Sequence, residues 1–272
     1  MLHSQHMTRQ RLGQHFLGDP AWQERIFHTL PKAGDETWIE IGPGHGELTR
    51  LLAADGRRVI AIEADPGLAE GLRRQIRSER EKWPRVEVIE GDVLEQDLSK
   101  LAGGSFRAYG NLPYYITSPI LHRLFDCADH ILSIHIVIQL EVAERIVSAP
   151  GHREYGYLST ACQFYGRPRI SLKIRPGAFR PPPKVHSALV EMELPGERAE
   201  LNLGGVTREK DFLKFVQACF EQKRKTLRNN LRGMGADVQA HSALEAAGLR
   251  PDARAEQLTL TQFASLFAFL QK

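Results

Sequence analysis

The sequence predicts an α/β protein built on a mostly parallel sheet of about seven strands, followed by a small all-helical domain. Five apolar runs rich in Ile and Val alternate with amphipathic stretches, and two more runs follow each other without a helix between them. Strands that alternate with helices indicate a parallel, doubly wound sheet. A pair of runs with no helix between them indicates an antiparallel strand at the edge of that sheet.

The hydrophobic pattern gives the first and last residue of each predicted strand and helix. The alternating strands are Thr37–Gly42, Arg57–Asp65, Val86–Asp92, Phe106–Leu112 and Ile131–Glu141. The final pair is Pro168–Arg175 and Ser187–Leu194, and one-sided leucines predict helices over Glu47–Ala54 and Gly67–Glu79. After Pro195 only helical periodicity remains. We therefore predict one domain over residues 1–195 and a helical domain over residues 196–272.

Composition excludes several classes of protein. The 272 residues are 42% hydrophobic and carry a net charge of only +3, which is ordinary for a globular chain. Three well-separated cysteines argue against a disulfide framework or a Cys-based zinc site, and the eleven histidines show no zinc-protease or zinc-finger spacing. There is no apolar run of about 18 residues. We expect a cytoplasmic monomer with no bound metal and no membrane association.

The first strand ends in a glycine-rich turn that begins a helix. Gly42, Gly44 and Gly46 let the backbone approach a ligand where a Cβ atom would collide. The third glycine of the dinucleotide pattern is absent, because Glu47 stands in its place. The turn therefore favours an uncharged nucleoside with an amino-acid tail over a pyrophosphate, although a tight turn with no ligand remains possible.

Acidic residues end the next two strands. Glu63 lies 21 residues after Gly42, where a carboxylate can accept hydrogen bonds from both ribose hydroxyls. Asp92 ends the third strand and could reach an adenine amine. Because the carboxyl ends of parallel strands share one edge of the sheet, these positions predict one ligand site.

The fourth strand ends in Asn111-Leu112-Pro113-Tyr114. No other segment of the chain indicates one kind of reaction so specifically. The exocyclic amine of adenine is a poor nucleophile because its lone pair is delocalised into the ring. An Asn oxygen and the carbonyl of Leu112 can accept both amine protons, Pro113 fixes the backbone, and Tyr114 can stack on the base. A structural turn with a capping Asn and a packing Tyr is the alternative.

These residues resemble the KsgA/RsmA-type ribosomal RNA adenine dimethyltransferases. The matching blocks span nearly the whole chain: Arg11–Leu17, Ile39–Gly46, Asn111–Ile120, Pro176–Ser187 and Phe220–Leu231. The resemblance implies a Rossmann-like class I methyltransferase domain that uses S-adenosylmethionine. It also implies dimethylation of two adjacent adenines in a hairpin near the 3′ end of small-subunit (16S) rRNA, and a partner in the immature small subunit.

The resemblance assigns roles to residues of this chain. It places the cofactor contacts on His15, Leu17, Gly42, Glu63, Asp92 and Asn111. It also places the target base between Tyr114 and Phe179. One position departs from the family pattern, because His15 stands where relatives usually carry Asn; imidazole replaces an amide hydrogen bond only in part.

Two acid-free basic segments predict an RNA-binding surface. The segment Gln222–Arg232 contains Lys223, Arg224, Lys225 and Arg228, and on a helix Lys225, Arg228 and Arg232 would share a stripe. Arg180 and Lys184 follow Phe179 in a second basic segment, which begins with Arg175. A merely solvated face is the alternative for such charges.

Three other functions remain open from sequence alone. Methylation of large-subunit (23S) rRNA or of DNA adenine would use the same glycines and tetrapeptide. A non-catalytic ribosome-assembly or RNA-binding factor could keep the fold, although the intact tetrapeptide argues against it. A nicotinamide dehydrogenase is the most distant alternative.

Overall fold

The computed structural model describes residues 15–222, 225–233 and 239–271. In these ranges the strands are β1 (Phe16–Leu17), β2 (Thr37–Ile41), β3 (Arg58–Glu63), β4 (Val86–Glu90), β5 (Phe106–Asn111), β6 (Ile131–Gln139), β7 (Arg167–Ile174), β8 (Phe179–Arg180) and β9 (Ser187–Glu193). The first seven helices are α1 (Pro20–Thr29), α2 (Glu47–Ala54), α3 (Pro66–Ser78), α4 (Leu98–Ala102), α5 (Thr117–Phe125), α6 (Leu140–Val147) and α7 (Tyr157–Tyr165). The remaining helices are α8 (Arg198–Leu201), α9 (Val206–Cys219), α10 (Leu227–Gly233), α11 (Ala240–Ala246) and α12 (Leu260–Leu270).

Seven strands form one sheet in the order β4-β3-β2-β5-β6-β9-β7. The pairs β3/β4, β2/β3, β2/β5 and β5/β6 are parallel, and β6/β9 is antiparallel. The predicted fold class is confirmed, with the antiparallel strand β9 one position in from the edge strand β7. The chain runs from β2 outward to β4 and then returns to β5 on the other side of β2. That reversal opens a crevice at the carboxyl ends of β2 and β5, where open α/β sheets bind ligands.

The central strands form because they are mostly apolar on both faces. All five residues of β2 are buried, as are Val59 to Glu63 of β3, and helices on each side cover such strands. Helix α3, which follows β3, begins at a cap encoded in the sequence. The Asp65 carboxylate accepts from the amides of Gly67 and Leu68, and Pro66 occupies the first turn of α3.

A second, two-stranded sheet joins distant parts of the chain. Strand β1 pairs antiparallel with β8, with Phe16 opposite Arg180 and Leu17 opposite Phe179. The amide of Gly18 extends the pairing by donating to the carbonyl of Ala178 at 3.0 Å. This pairing fixes the His15–Leu17 segment next to the strand ends.

The chain divides into two compact units. Among the described residues, the first unit contains residues 15–143 and 169–194, and the second contains residues 144–168, 195–222, 225–233 and 239–271. The sequence interpretation placed residues 144–168 in the first domain, whereas their contacts belong to the helical unit. Helix α7 packs against α9 there, with the Phe164 and Phe212 ring centroids 5.5 Å apart. Within the described residues, no helix is long and apolar enough to cross a membrane.

Candidate methyl-transfer site

The glycine-rich turn after β2 has a backbone conformation that favours glycine. Gly42, Gly44 and Gly46 have φ values of 67°, 60° and 82°, in the left-handed region that other residues enter only with strain. A Cβ atom on Gly44 would lie 2.9 Å from the Phe16 ring, and one on Gly46 would lie 2.6 Å from Leu72. A Cβ on Gly42 would point into open space. Gly42 is therefore the position where a ligand can approach the backbone.

The turn lines a cleft at the carboxyl ends of the strands. The cleft brings together most of the predicted site. Its lining residues are His15, Phe16, Gly42, Gly44, Glu63, Asn111, Leu112, Pro113 and Tyr114. A second cleft shares Phe16, Gly42 and Asn111 with the first, and adds Leu17 and Glu40.

Glu63 is a buried carboxylate held by the glycine turn. Its two oxygens accept from the amides of Gly44 at 3.0 Å and Asp65 at 2.9 Å. Burial raises the pKa of this carboxyl, and the two amide hydrogen bonds oppose the rise. Each carboxylate oxygen has a further lone pair, so Glu63 can still accept from two hydroxyls of a ligand.

Asn111 ends β5 with its amide in a defined orientation. The side-chain nitrogen donates to the backbone carbonyl of His15 at 2.8 Å. A carbonyl oxygen only accepts, so the NH₂ end of the amide must face His15. The other end, the oxygen Oδ1, is then the atom left for an incoming amine.

Tyr114 stands beside Asn111 at the wall of the cleft. Its hydroxyl lies 2.9 Å from the Ser187 hydroxyl, and its ring centroid lies 5.6 Å from that of His15. Burial raises the pKa of this phenol, so Tyr114 stays neutral. Leu112 is buried, and its amide donates to the Val137 carbonyl at 3.0 Å, which fixes the backbone of the tetrapeptide.

His15 closes the cleft from the side of β1. Its Nδ1 lies 2.7 Å from the carbonyl oxygen of Pro181, so Nδ1 carries the ring proton in this arrangement. Leu17 is buried, and its carbonyl accepts from the Gln23 side chain at 2.6 Å. The structure therefore brings both predicted N-terminal cofactor residues to the clefts.

Two predicted positions lie elsewhere. Phe179 is fully buried in a hydrophobic core with Leu17 and Leu189 and does not line the cleft, so the predicted sandwich with Tyr114 is wrong for this conformation. The reason is the β1/β8 pairing, which places Phe179 opposite Leu17. Asp92 is exposed, and its carboxylate caps a 3-10 turn by accepting from the Leu94 amide at 2.9 Å.

Glu40 is a site residue that the sequence interpretation missed. It lies in the middle of β2, is 2% exposed, and has one carboxylate oxygen with no partner among the described residues. Burial, with added repulsion from Glu47 and Glu63, raises the pKa of Glu40 to about 8. An acid inside an otherwise apolar buried strand was the available signal, because such a group is costly unless a ligand pairs with it.

The predicted RNA-binding cations are only partly described. Lys223 and Arg224 lie outside the described residues. Lys225 is exposed but precedes α10, so it does not share a helical stripe with Arg228, whose side chain is half-buried. Arg180 and Lys184 are both exposed. In the described ranges no group of three or more His, Cys, Asp or Glu could hold a metal ion.

The sheet order and the cleft define a class I S-adenosylmethionine-dependent methyltransferase. The family model described as "Ribosomal RNA adenine dimethylase" matches residues 5–272, and the chain belongs to that family. The enzyme therefore acts on ribosomal RNA, and its methyl donor is S-adenosylmethionine.

Curated relatives and solved structures agree with this assignment. Ribosomal RNA small subunit methyltransferase A of Acidobacterium capsulatum is 42% identical over 264 residues, covering 96% of this chain and 90% of the relative. The protein of the same name from Koribacter versatilis is 38% identical and covers 96% and 94%. The crystal structure of the 23S rRNA methyltransferase ErmE superimposes with a TM-score of 0.71 at 29% identity, covering 94% of this chain and 100% of ErmE. A dimethyladenosine transferase from Plasmodium falciparum, at 23% identity and a TM-score of 0.74, shares the fold over 93% and 96% of the two chains.

Proposed function

We propose that this enzyme dimethylates N6 of two adjacent adenines in the 3′-terminal hairpin of 16S rRNA, within an immature small subunit. The curated relatives above are named for the small subunit, which supports this substrate over others. The observation that carries the proposal is the orientation of the Asn111 amide, which turns its oxygen toward an incoming amine.

The clefts fit S-adenosylmethionine. The unpartnered oxygen of Glu40 suits the ammonium group of the methionine part, and Glu63 suits the ribose hydroxyls. Gly42 leaves open space for the amino-acid tail, and His15 and Leu17 would close over it. In our proposal Asp92 would contact the adenine amine of the cofactor. The bound cofactor supplies a methyl group on a positively charged sulfur.

Asn111 and Leu112 position the nucleophile. If the Asn111 oxygen and the Leu112 carbonyl each accept one proton of the target amine, the nitrogen becomes more pyramidal and its lone pair points out of the ring plane. Pro113 restricts the backbone between these acceptors and Tyr114. No strong general base is needed, because the proton can leave after the nitrogen–carbon bond forms.

Tyr114 provides the surface for the extruded base. Its hydrogen bond to Ser187 holds the ring at the cleft wall, where one face is available for stacking. Base–aromatic stacking is worth about 1–3 kcal/mol.

Basic residues of both units would contact the RNA backbone. Arg180 and Lys184 belong to the first unit, and Lys225 and Arg228 belong to the second. In our proposal Lys223 and Arg224, which lie outside the described residues, contact phosphates as well. Cations that meet phosphates supply affinity without reading sequence. We further propose that the enzyme works as a monomer in the cytoplasm.

Methylation of 23S rRNA is the second candidate, because the structure of ErmE is named for that substrate. Both candidates would use the same Asn111 geometry. The nucleotide that becomes modified distinguishes them, and the cleft alone does not.

The direct experiment is transfer of tritium from labelled S-adenosylmethionine to small subunits that lack the modification, followed by nucleoside analysis. We expect labelled N6,N6-dimethyladenosine in 16S rRNA, mapped by primer extension to two adjacent positions. Label confined to 23S rRNA would reject the small-subunit assignment, and the absence of label in any RNA would reject the reaction.

A further inference from the structure

The two consecutive tyrosines that follow Pro113 face in different directions. Tyr114 lines the cleft, whereas Tyr115 is 59% exposed, the highest value among the exposed large apolar side chains of the described residues. The Tyr115 hydroxyl makes no hydrogen bond within those residues. Burying aromatic surface is favourable, so a ring left in solvent beside a catalytic site points to an unfilled contact.

The backbone explains this arrangement. The Ile116 amide donates to the Pro113 carbonyl at 3.2 Å, which closes a turn between β5 and α5. Tyr114 is anchored inward by its bond to Ser187. The next residue in the turn then projects outward, so Tyr115 is held by the same turn that positions the catalytic residues.

The surroundings of the tyrosine pair suit a polyanion. The Ser187 contact places the Lys184–His186 segment next to Tyr114, and Lys184, Val185 and His186 are all exposed. Neither the segment from Arg175 to Val190 nor the turn around Tyr115 contains an acidic residue. An exposed aromatic ring and an exposed lysine, brought to the same part of the fold by the Tyr114–Ser187 contact, form the combination that binds single-stranded nucleic acid.

We propose that Tyr115 stacks on the nucleotide adjacent to the target adenine, which rests on the proposed RNA substrate. When the target base enters the cleft, its neighbour loses a stacking partner. The outward ring of Tyr115, next in the chain to the inward ring of Tyr114, replaces that partner. Stacking needs the ring and not the hydroxyl, so Phe preserves the contact and Ala removes it.

The test compares Tyr115→Ala and Tyr115→Phe on a hairpin RNA with 2-aminopurine next to the target adenine. We expect Tyr115→Ala to raise the KM for RNA about tenfold or more, with little change in kcat or in cofactor affinity, and to lose the quenching of 2-aminopurine. Tyr115→Phe should resemble wild type. Leu132→Ala is the matched control, because Leu132 is another exposed apolar residue of the same unit, outside the cleft.

Each other outcome overturns the proposal. An unchanged KM and unchanged quenching in Tyr115→Ala reject the stacking contact, and a loss in Tyr115→Phe equal to that in Tyr115→Ala assigns the effect to the hydroxyl. A defect seen only with assembled subunits and not with the hairpin would indicate a protein partner instead. If wild type binds and methylates no RNA, the proposed function itself fails, which the variants would not show.

Discussion

The side-chain amide of Asn111 donates a 2.8 Å hydrogen bond to the backbone carbonyl of His15, across 96 residues of sequence. This contact ties the His15–Leu17 segment to the catalytic strand end. It also fixes which end of the amide faces the cleft. The orientation of the Asn111 oxygen, which we propose accepts a proton of the target amine, therefore depends on the His15–Leu17 segment, far away in the sequence.

Cofactor binding should release a proton through Glu40. The pKa of Glu40 is about 8 in the free protein, so the carboxyl is mostly protonated at pH 7, and a bound ammonium would favour the charged form. Affinity should therefore rise as pH increases from 6 to 8. Glu40→Gln should remove the proton release and weaken binding about tenfold or more. Calorimetry in buffers of different ionisation enthalpy measures both effects.

The control for Glu40 is Glu24→Gln, which replaces an exposed carboxylate on α1. It should bind the cofactor like wild type. Equal proton release from wild type and Glu40→Gln would show that another group titrates.

The same residue predicts a pH dependence of stability. The folded-state pKa of Glu40 is raised above the unfolded value of 4.5, so its contribution is fully present below pH 4.5 and is lost as pH rises through about 8. Burial also raises the pKa of Glu63, so its contribution to stability falls with increasing pH as well. Urea unfolding at pH 5 and pH 8.5 should show Glu40→Gln gaining stability relative to wild type at the higher pH. A constant difference between the two proteins would contradict the burial of a titrating carboxyl.

Gly44→Ala should damage cofactor binding beyond its effect on stability. An alanine at position 44 would have to adopt the left-handed backbone conformation, which costs about 1–2 kcal/mol. Its Cβ atom would also lie 2.9 Å from the Phe16 ring. Gly56→Ala has the same kind of backbone strain, with φ at 79°, but meets nothing within 4 Å. Both variants should lose thermal stability, and only Gly44→Ala should lose cofactor affinity. If Gly44→Ala and Gly56→Ala bind the cofactor with equal affinity, the Phe16 ring moves aside at no cost to the cofactor site.

Replacing Arg180 and Lys184 with Ala should flatten the salt dependence of RNA binding. Each lost phosphate contact reduces the slope of log K against log salt by about 0.7 for a single strand, so the double variant should lose about 1.4. Arg77→Ala with Lys82→Ala is the matched control, since both cations already pair with carboxylates on the protein surface. An unchanged slope would show that the Arg180 segment faces away from RNA.

Local sequence signals predicted the parts of the fold that depend on local chemistry. The mostly apolar central strands, the one-sided leucines of α2 and α3, and the glycine turn after β2 each follow from residues a few positions apart. The same holds for Asn111 and Tyr114, which end one strand. Their convergence with Glu63 follows from the rule that parallel strands expose their carboxyl ends together.

Contacts between residues that are far apart in the sequence were not predicted. Strand β1 is only two residues long, so it has no periodicity, and its pairing with β8 is what buries Phe179. Residues 144–168 lie between two strands of the sheet, yet α7 packs in the helical unit through aromatic contacts with α9. The environment of Glu40 likewise depends on neighbours that the strand pattern does not reveal.

The most direct test of the account is single-turnover methyl transfer by Asn111→Ala, with RNA affinity measured on the same samples. We expect the rate of transfer to fall at least 100-fold, about the loss seen when one preorganised polar contact is removed from an active site, while RNA affinity stays within about twofold. Asn111→Asp should also be slow, because a carboxylate oxygen would face the His15 carbonyl. Methyl transfer by Asn111→Ala at the wild-type rate would contradict the role of this amide.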